Sequence, residues 1–212
     1  MTVPGAGARA HGHVGSGLVL VYADEACLGN GQERQTPGGA GGLVEARGAS
    51  GRVERRDYFV AEADTTNNRM ALRSAIAALQ LLGARGRRLP IRFTSDSTYL
   101  VQGMREWVRA WRARGWTRKG GAIENLDLWR ELVAWAEGHD VTWRWVRGHA
   151  GHAKNEYANH LATRAAADQQ SSGGLVASGF TAWLDAERAR GKYASYDPDA
   201  ELPDAPPELT AR

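Results

Sequence analysis

Apolar and polar positions along the chain fall into blocks with two different periods. Residues 18–23 form a continuous apolar run of strand length that stops at Asp24 and Glu25, as a buried central strand would. Alternation places Leu20, Tyr22 and Asp24 on one face of it and Val21, Ala23 and Glu25 on the other. Residues 40–47 and 52–61 read as the arms of a hairpin that turns at Gly48 to Gly51. A helix then opens at Thr65 or Thr66, whose hydroxyl can cap it, and Leu72, Ile76, Leu79 and Leu82 recur at three- and four-residue spacing. Residues 90–95 form a second strand, and it too ends on a carboxylate, Asp96. Residues 97–111 predict one or two helices broken near Gly103 and stopped at Arg114-Gly115-Trp116. A helix follows near Asn125 with Leu128, Leu132 and Trp135 along one side, then a strand of alternating Val and Trp over 141–146. Gly148-His149-Ala150-Gly151 makes a loop before a last helix over 152–167. This order predicts an α/β domain on a mixed sheet, spanning residues 18–168.

The ends read differently. Residues 1–17 are small and polar without periodicity and predict a disordered leader. Residues 169–212 predict a flexible linker at 171–174, a short amphipathic helix carrying Phe180, Trp183 and Leu184, and a solvated acidic tail. The tail sets Asp197, Asp199, Glu201, Asp204 and Glu208 against Arg212. Composition is ordinary for a soluble domain, with 42% hydrophobic and 24% charged residues, and the longest apolar runs have strand length. The N-terminus lacks the apolar core of a signal peptide. A single cysteine, Cys27, excludes an internal disulfide and fits a reducing cytoplasm. The formal charge of +3 permits nucleic-acid binding without arguing for it. A monomer with no membrane partner is expected.

Two strands that each deliver an Asp to the carboxyl edge of a sheet point to chemistry, because sites form at that edge in open α/β folds. Converging carboxylates repel unless a divalent cation lies between them. All-oxygen ligands select Mg²⁺ or Mn²⁺, and such sites suit phosphoryl chemistry. Asn67 and Asn68 at the helix start could read a ribose hydroxyl or a base edge, or could simply be helix-start residues.

Four segments together resemble type 1 ribonuclease H. They are Tyr22-Ala23-Asp24-Glu25-Ala26-Cys27-Leu28-Gly29-Asn30, Thr65 to Met70, Thr94-Ser95-Asp96-Ser97 and Gly148-His149-Ala150-Gly151-His152, in matching order and at matching intervals. The resemblance implies a ribonuclease H-like fold with a five-stranded mixed sheet flanked by helices. It implies endonucleolytic cleavage of the RNA strand of an RNA–DNA hybrid by water activated on two Mg²⁺ or Mn²⁺ ions. Carried over, Asp24 would bridge both metals, Asp96 would ligate one, and His149 would assist proton transfer or product departure. Cys27, Asn30, Asn67 and Asn68 would line the minor groove beside the RNA strand, where the 2′-hydroxyl distinguishes RNA from DNA. The run from Arg105 to Lys119 is similar to the family's basic protrusion, with Trp107, Arg112, Arg114 and Trp116 meeting the DNA strand. The same run also fits a helix with core Trp and solvated Arg. Trp129, Trp143 and Trp145 are expected to be structural.

The resemblance breaks at two of four carboxylates. Ala71 stands where the family carries a metal-ligating Glu, and Asn159 stands where the last helix usually carries Asp. Asn159 still offers a neutral oxygen to a hard cation. Ala71 offers nothing, and three explanations compete: an introduced inactivating change, a degenerate hybrid-binding module, or another carboxylate that has moved in. Glu25 is the nearest such acid, although alternation points it away from Asp24 unless a bulge re-aims it; Glu62 and Glu156 are weaker candidates.

Overall fold

The computed structural model describes residues 17–29, 36–48, 50–84, 86–148 and 150–203. Its centre is β1 (Val19–Cys27), which pairs antiparallel with β2 (Gly38–Arg47) and parallel with β4 (Pro90–Ser95). β3 (Val53–Glu62) extends the sheet beyond β2, and β5 (Asp140–Trp145) extends it beyond β4. A two-residue strand, β6 (Val176–Ala177), adds to β3, so the order is β5-β4-β1-β2-β3-β6. The sheet therefore has six strands where five were expected, the sixth coming from beyond residue 168.

The two faces of β1 are covered by different elements, as its alternation demands. Val19, Val21 and Ala23 join the large core under α1 (Asn67–Gly83) and α4 (Leu126–Glu137), together with Ala71, Leu72, Leu79, Phe93 and Trp129. Leu20 and Tyr22 face the other way, towards α5 (Ala153–Asp168) and the C-terminal segment. α5 lies close on β2 because glycine there leaves room: a Cβ on Gly41 would stand 2.5 Å from that of Leu161. This close approach fixes the height of α5 over the sheet.

Thr66, not Thr65, caps α1, accepting from the Arg69 N–H at 3.3 Å; the Thr65 hydroxyl donates to Glu62 instead, at 2.7 Å. The break expected near Gly103 is a widened π-turn over Gly103–Trp107, between α2 (Thr98–Gln102) and α3 (Val108–Ala113). Trp129 is fully buried beside it, and its indole N–H donates to the Tyr99 hydroxyl at 2.9 Å.

The segment after Gln170 departs from expectation up to Pro203. The Phe59 N–H donates to the Ser172 hydroxyl and the Ala61 N–H to that of Ser171, so the stretch read as a linker is tied to the edge of β3. α6 (Phe180–Ala189) packs Phe180 and Leu184 on Leu43, Tyr157 and Leu161. Leu202 is buried against Leu20 and Tyr22. Asp199 and Glu201, read as solvated, pair with Arg55 and Arg144. Acidic side chains looked like a soluble tail because the cations they meet lie far away in sequence. Residues 1–16 and 204–212, including Asp204, Glu208 and Arg212, lie outside the described residues.

Under this segment sits a buried charge row. Glu45 is fully buried and accepts from Lys154 and Arg55, each at 2.6 Å; Arg55 in turn reaches Asp199. Only the Glu45–Lys154 pair is fully buried; replacing Lys154 by an apolar residue leaves an unpaired buried charge, at a cost of ~3–5 kcal/mol.

Ending the chain at Gln170 exposes Leu43, Tyr157, Leu161 and Leu20 and strips Asp199 from Arg55. Each large apolar side chain re-exposed costs about 1.5–3 kcal/mol. A urea titration followed by far-UV circular dichroism is expected to show a loss of more than ~3 kcal/mol. An unchanged midpoint would refute the integral role of the segment.

Candidate active site

The edge that carries the site is built by unequal strand lengths. β1 pairs with β4 only as far as Ala23–Ser95, but continues against β2 to Cys27–Gly38. A notch opens where β4 stops, with Asp24 and Glu25 on its β1 side and Asp96 just past the end of β4. The apolar run stops at Asp24 and Glu25, but the strand continues to Cys27 as regular ladder with no bulge.

Alternation holds through this stretch. Asp24 lies on the α5 face, where its Oδ2 accepts from the Asn155 side-chain amide at 2.7 Å. Its Oδ1 accepts from the Glu25 backbone N–H at 2.7 Å. Glu25 continues the face of Val21 and Ala23, the face covered by α1, and there α1 presents the small, buried Ala71. The two acids project to opposite sides of one strand end, yet one carboxylate oxygen each from Asp24, Glu25 and Asp96 lie within 4.8 Å of one another. Re-aiming by a bulge is unnecessary, because the notch leaves no β4 backbone between them.

The electrostatics follow from crowding. Burial, then the Asp96 charge, pushes the Asp24 carboxyl far above the usual carboxylate range, against the pull of its two donors. Glu25 is raised as well, by burial first and then by Asp24 and Asp96, with a hydrogen bond from Ser97 opposing. These three acids have the donor chemistry of a hard divalent cation site: all oxygen, anionic and converging.

The β5–α5 connection closes the notch from the β4 side. The Val146 N–H donates to the Ser95 carbonyl at 3.1 Å, and the Trp145 indole N–H donates to the Asp96 carbonyl at 3.0 Å. Gly148 lies so near the Asp96 carboxylate that an added Cβ would stand 2.3 Å from its Oδ2. His149 follows immediately but, like Asn30, lies outside the described residues.

The other sequence-selected residues divide. Asn67 and Asn68 begin α1 at the same sheet edge, since the end of β3 pairs with Gly38, itself the partner of Cys27. Asn67 Oδ1 is buried and has no partner among the described residues. Cys27 ends β1 there, half-buried. Asn159 is half-buried on α5, and among the described residues its side chain makes no hydrogen bond. The α5 amide that reaches Asp24 is Asn155, one helical turn earlier on the same face, and sequence reading passed over it. The i,i+4 spacing to Asn159 was the available signal.

In the basic segment, Trp107 sits in an aromatic row with Tyr99 and Trp111, both with centroids 5.9 Å away. Trp116 lies beneath the Arg130 guanidinium at 5.7 Å. Arg112 pairs with Glu137 at 2.6 Å, whereas Arg105, Arg109, Arg114, Arg118 and Lys119 face solvent. Glu62 is held by Thr65, Arg69 and Arg73, which draw its carboxyl down despite partial burial, and Glu156 receives the Gly151 N–H. Neither belongs to the acid cluster.

A mixed sheet with acids at the carboxyl edge of its first and fourth strands defines a ribonuclease H-like α/β fold. The RNase H family model matches residues 16–167. Ribonuclease H of Pelobacter propionicus is 42% identical over 155 residues, covering 73% of this chain and 88% of that protein. Ribonuclease HI of Pseudomonas aeruginosa is 42% identical over 151 residues, covering 71% and 94%. Among solved structures, LC9-RNase H1, a type 1 RNase H with the type 2 active-site motif, is 51% identical with a TM-score of 0.79. That likeness covers 94% of this chain and 98% of LC9-RNase H1. LC11-RNase H1, solved in complex with an RNA/DNA hybrid, shares the fold at 17% identity with a TM-score of 0.52, covering 71% and 98%. The chain belongs to the ribonuclease H family.

The raised carboxyls set a pH test. A carboxyl that holds its proton more tightly folded than unfolded stabilises the fold below its unfolded pKa, and that contribution is lost as pH rises towards the folded value. Metal-free protein is therefore expected to melt lower at pH 8 than at pH 6. Millimolar Mn²⁺, or Glu25→Gln without metal, is expected to recover part of the loss, at ~2–4 °C per kcal/mol. Calorimetry in chelator measures this directly; equal melting temperatures with and without Mn²⁺ would argue against a cation site.

Proposed function

We propose that this protein is an endoribonuclease that cleaves the RNA strand of RNA–DNA hybrids at two Mg²⁺ or Mn²⁺ ions, with Glu25 taking the place of the acid absent at Ala71. One observation carries this reading: a Glu25 carboxylate oxygen lies within 4.8 Å of those of Asp24 and Asp96, while Ala71 on α1 is buried and brings no oxygen. The 51% identity to a type 1 RNase H with the type 2 active-site motif supports it, since that enzyme also departs from the usual type 1 site.

Asp24, Glu25 and Asp96 would hold the ions, with Asn159 as a neutral oxygen ligand from α5. Bound there, the ions supply an activated water and charge neutralisation at the scissile phosphate. Asn155 and the Glu25 N–H each occupy one oxygen of Asp24 and so fix the plane of its carboxylate. Asn67, whose side chain stays half-exposed, together with Asn68, Cys27 and Asn30, would read the 2′-hydroxyls of the RNA strand. Arg114 and its exposed basic neighbours neutralise phosphates of the DNA strand, with Arg112 released from Glu137 to join them. Trp107 and Trp116 support that segment and present ring edges to the same strand. His149 moves the proton to the departing oxygen. Mn²⁺ suits the rearranged acids better than Mg²⁺, which demands near-ideal octahedral geometry. The enzyme acts as a cytoplasmic monomer, in keeping with one free thiol; among the described residues no helix is long and apolar enough to cross a membrane.

Cleavage of a labelled hybrid, run beside single-stranded RNA and duplex DNA, tests the reading. Glu25→Ala is expected to lower kcat/KM about a thousandfold, equivalent to ~4 kcal/mol of transition-state stabilisation. The double variant Glu25→Ala/Ala71→Glu is expected to regain part of it. Ala71→Glu alone adds a fourth anion to a crowded notch and is expected to lower the melting temperature without raising the rate. Salt-sensitive hybrid binding with no cleavage in either metal would instead make the chain a binding module.

A further inference from the structure

Trp145, expected to be structural, is the most exposed large apolar side chain among the described residues, at 47%. Its neighbour on the same strand face, Trp143, packs on Phe93 with centroids 5.1 Å apart. Trp145 lies one pleat further on, opposite Ser95, where the strand has passed the end of the core. It remains in place because its indole N–H donates to the carbonyl of Asp96 at 3.0 Å. The ring is thus anchored by one edge to the backbone of a candidate metal ligand while much of its surface faces solvent. It occupies the same side of the sheet as Glu25 and the start of α1. The aromatics of the basic segment differ: Trp111 is buried, Trp107 lies between Tyr99 and Trp111 in edge and tilted contacts, and Trp116 lies under Arg130.

An exposed aromatic costs solvation unless something covers it, and a nucleic-acid strand covers such rings with sugar or base faces in a sequence-tolerant way. We infer that Trp145 is a substrate-contacting and positioning residue: its ring packs on the nucleotide next to the scissile phosphate, and its indole N–H holds the backbone of Asp96 at the notch. This assignment rests on the nuclease reading above and names a contact within it. The two roles separate chemically, because phenylalanine keeps a ring face and loses the N–H donor, whereas alanine loses both.

The test uses the full chain with Trp145→Phe and Trp145→Ala, each checked for an unchanged far-UV spectrum. An 18-base-pair RNA–DNA hybrid is the probe; affinity is measured in chelator, and turnover is measured across a Mn²⁺ titration. Trp145→Ala is expected to weaken hybrid affinity about tenfold. Trp145→Phe is expected to bind within about threefold of wild type but to need several-fold more Mn²⁺ for half-maximal rate, a readout that loss of packing alone would not move. Wild-type affinity and Mn²⁺ dependence in both variants would overturn the assignment. Equal loss of affinity in Phe and Ala would overturn the ring contact. A wild-type chain that does not cleave the hybrid overturns the nuclease reading itself, and one that cleaves while the variants match it overturns Trp145 alone.

Discussion

Mutual repulsion among three carboxylates is the constraint that shapes this molecule. Asp24, Glu25 and Asp96 are held with oxygens within 4.8 Å, in surroundings that already disfavour charge. No arrangement of apolar neighbours would favour that convergence, so the rest of the fold has to hold it by stiffness. A six-stranded ladder fixes the backbone of two of the acids, and Trp145 and Gly148 confine the third. Asn155 and a backbone N–H each donate to one oxygen of Asp24, and the Asp24 and Asp96 carboxyls hydrogen-bond to each other.

The support extends well beyond the notch. Asn155 reaches Asp24 only if the first turn of α5 stays in place, and the adjacent Lys154 is pinned there by Glu45. Glu45 is held from its other oxygen by Arg55, and Arg55 by Asp199 from the C-terminal segment. A row of ion pairs therefore runs from Asp199 to Lys154, one residue along α5 from the amide that reaches Asp24. Charge-assisted bonds are stronger than neutral ones, and the inner pair, Lys154 with Glu45, is buried enough to be little screened by salt.

Much of this was legible in the sequence, for reasons that differ by residue. β1, β4 and α1 announced themselves because burial on both sides, or on one helical stripe, leaves a direct periodic trace, and the ribonuclease H resemblance supplied the mixed sheet. Asp24 and Asp96 were readable because each stands at the end of a predicted strand. Glu25 was half readable: its type and adjacency were plain, but alternation argued against it. Only the unequal lengths of β1 and β4 show that opposite faces meet at a strand end. Asn155 was passed over, and Trp145 was read only as structural, because a hydrogen bond to a partner 131 or 49 residues away leaves no local pattern. The C-terminal segment misled for the same reason, its acids being complemented by arginines on distant strands.

Placing two acids side by side on β1 changes what the site is sensitive to. When a ligand comes from a helix, its distance from a strand ligand depends on how that helix docks. Here the separation of Asp24 and Glu25 is set by covalent geometry and one pleat of a strand, and Ala71 leaves α1 with no carboxylate to deliver. Small shifts of α1 can then occur without altering the spacing of those two carboxylates, so the geometry of the acid pair is independent of how that helix docks.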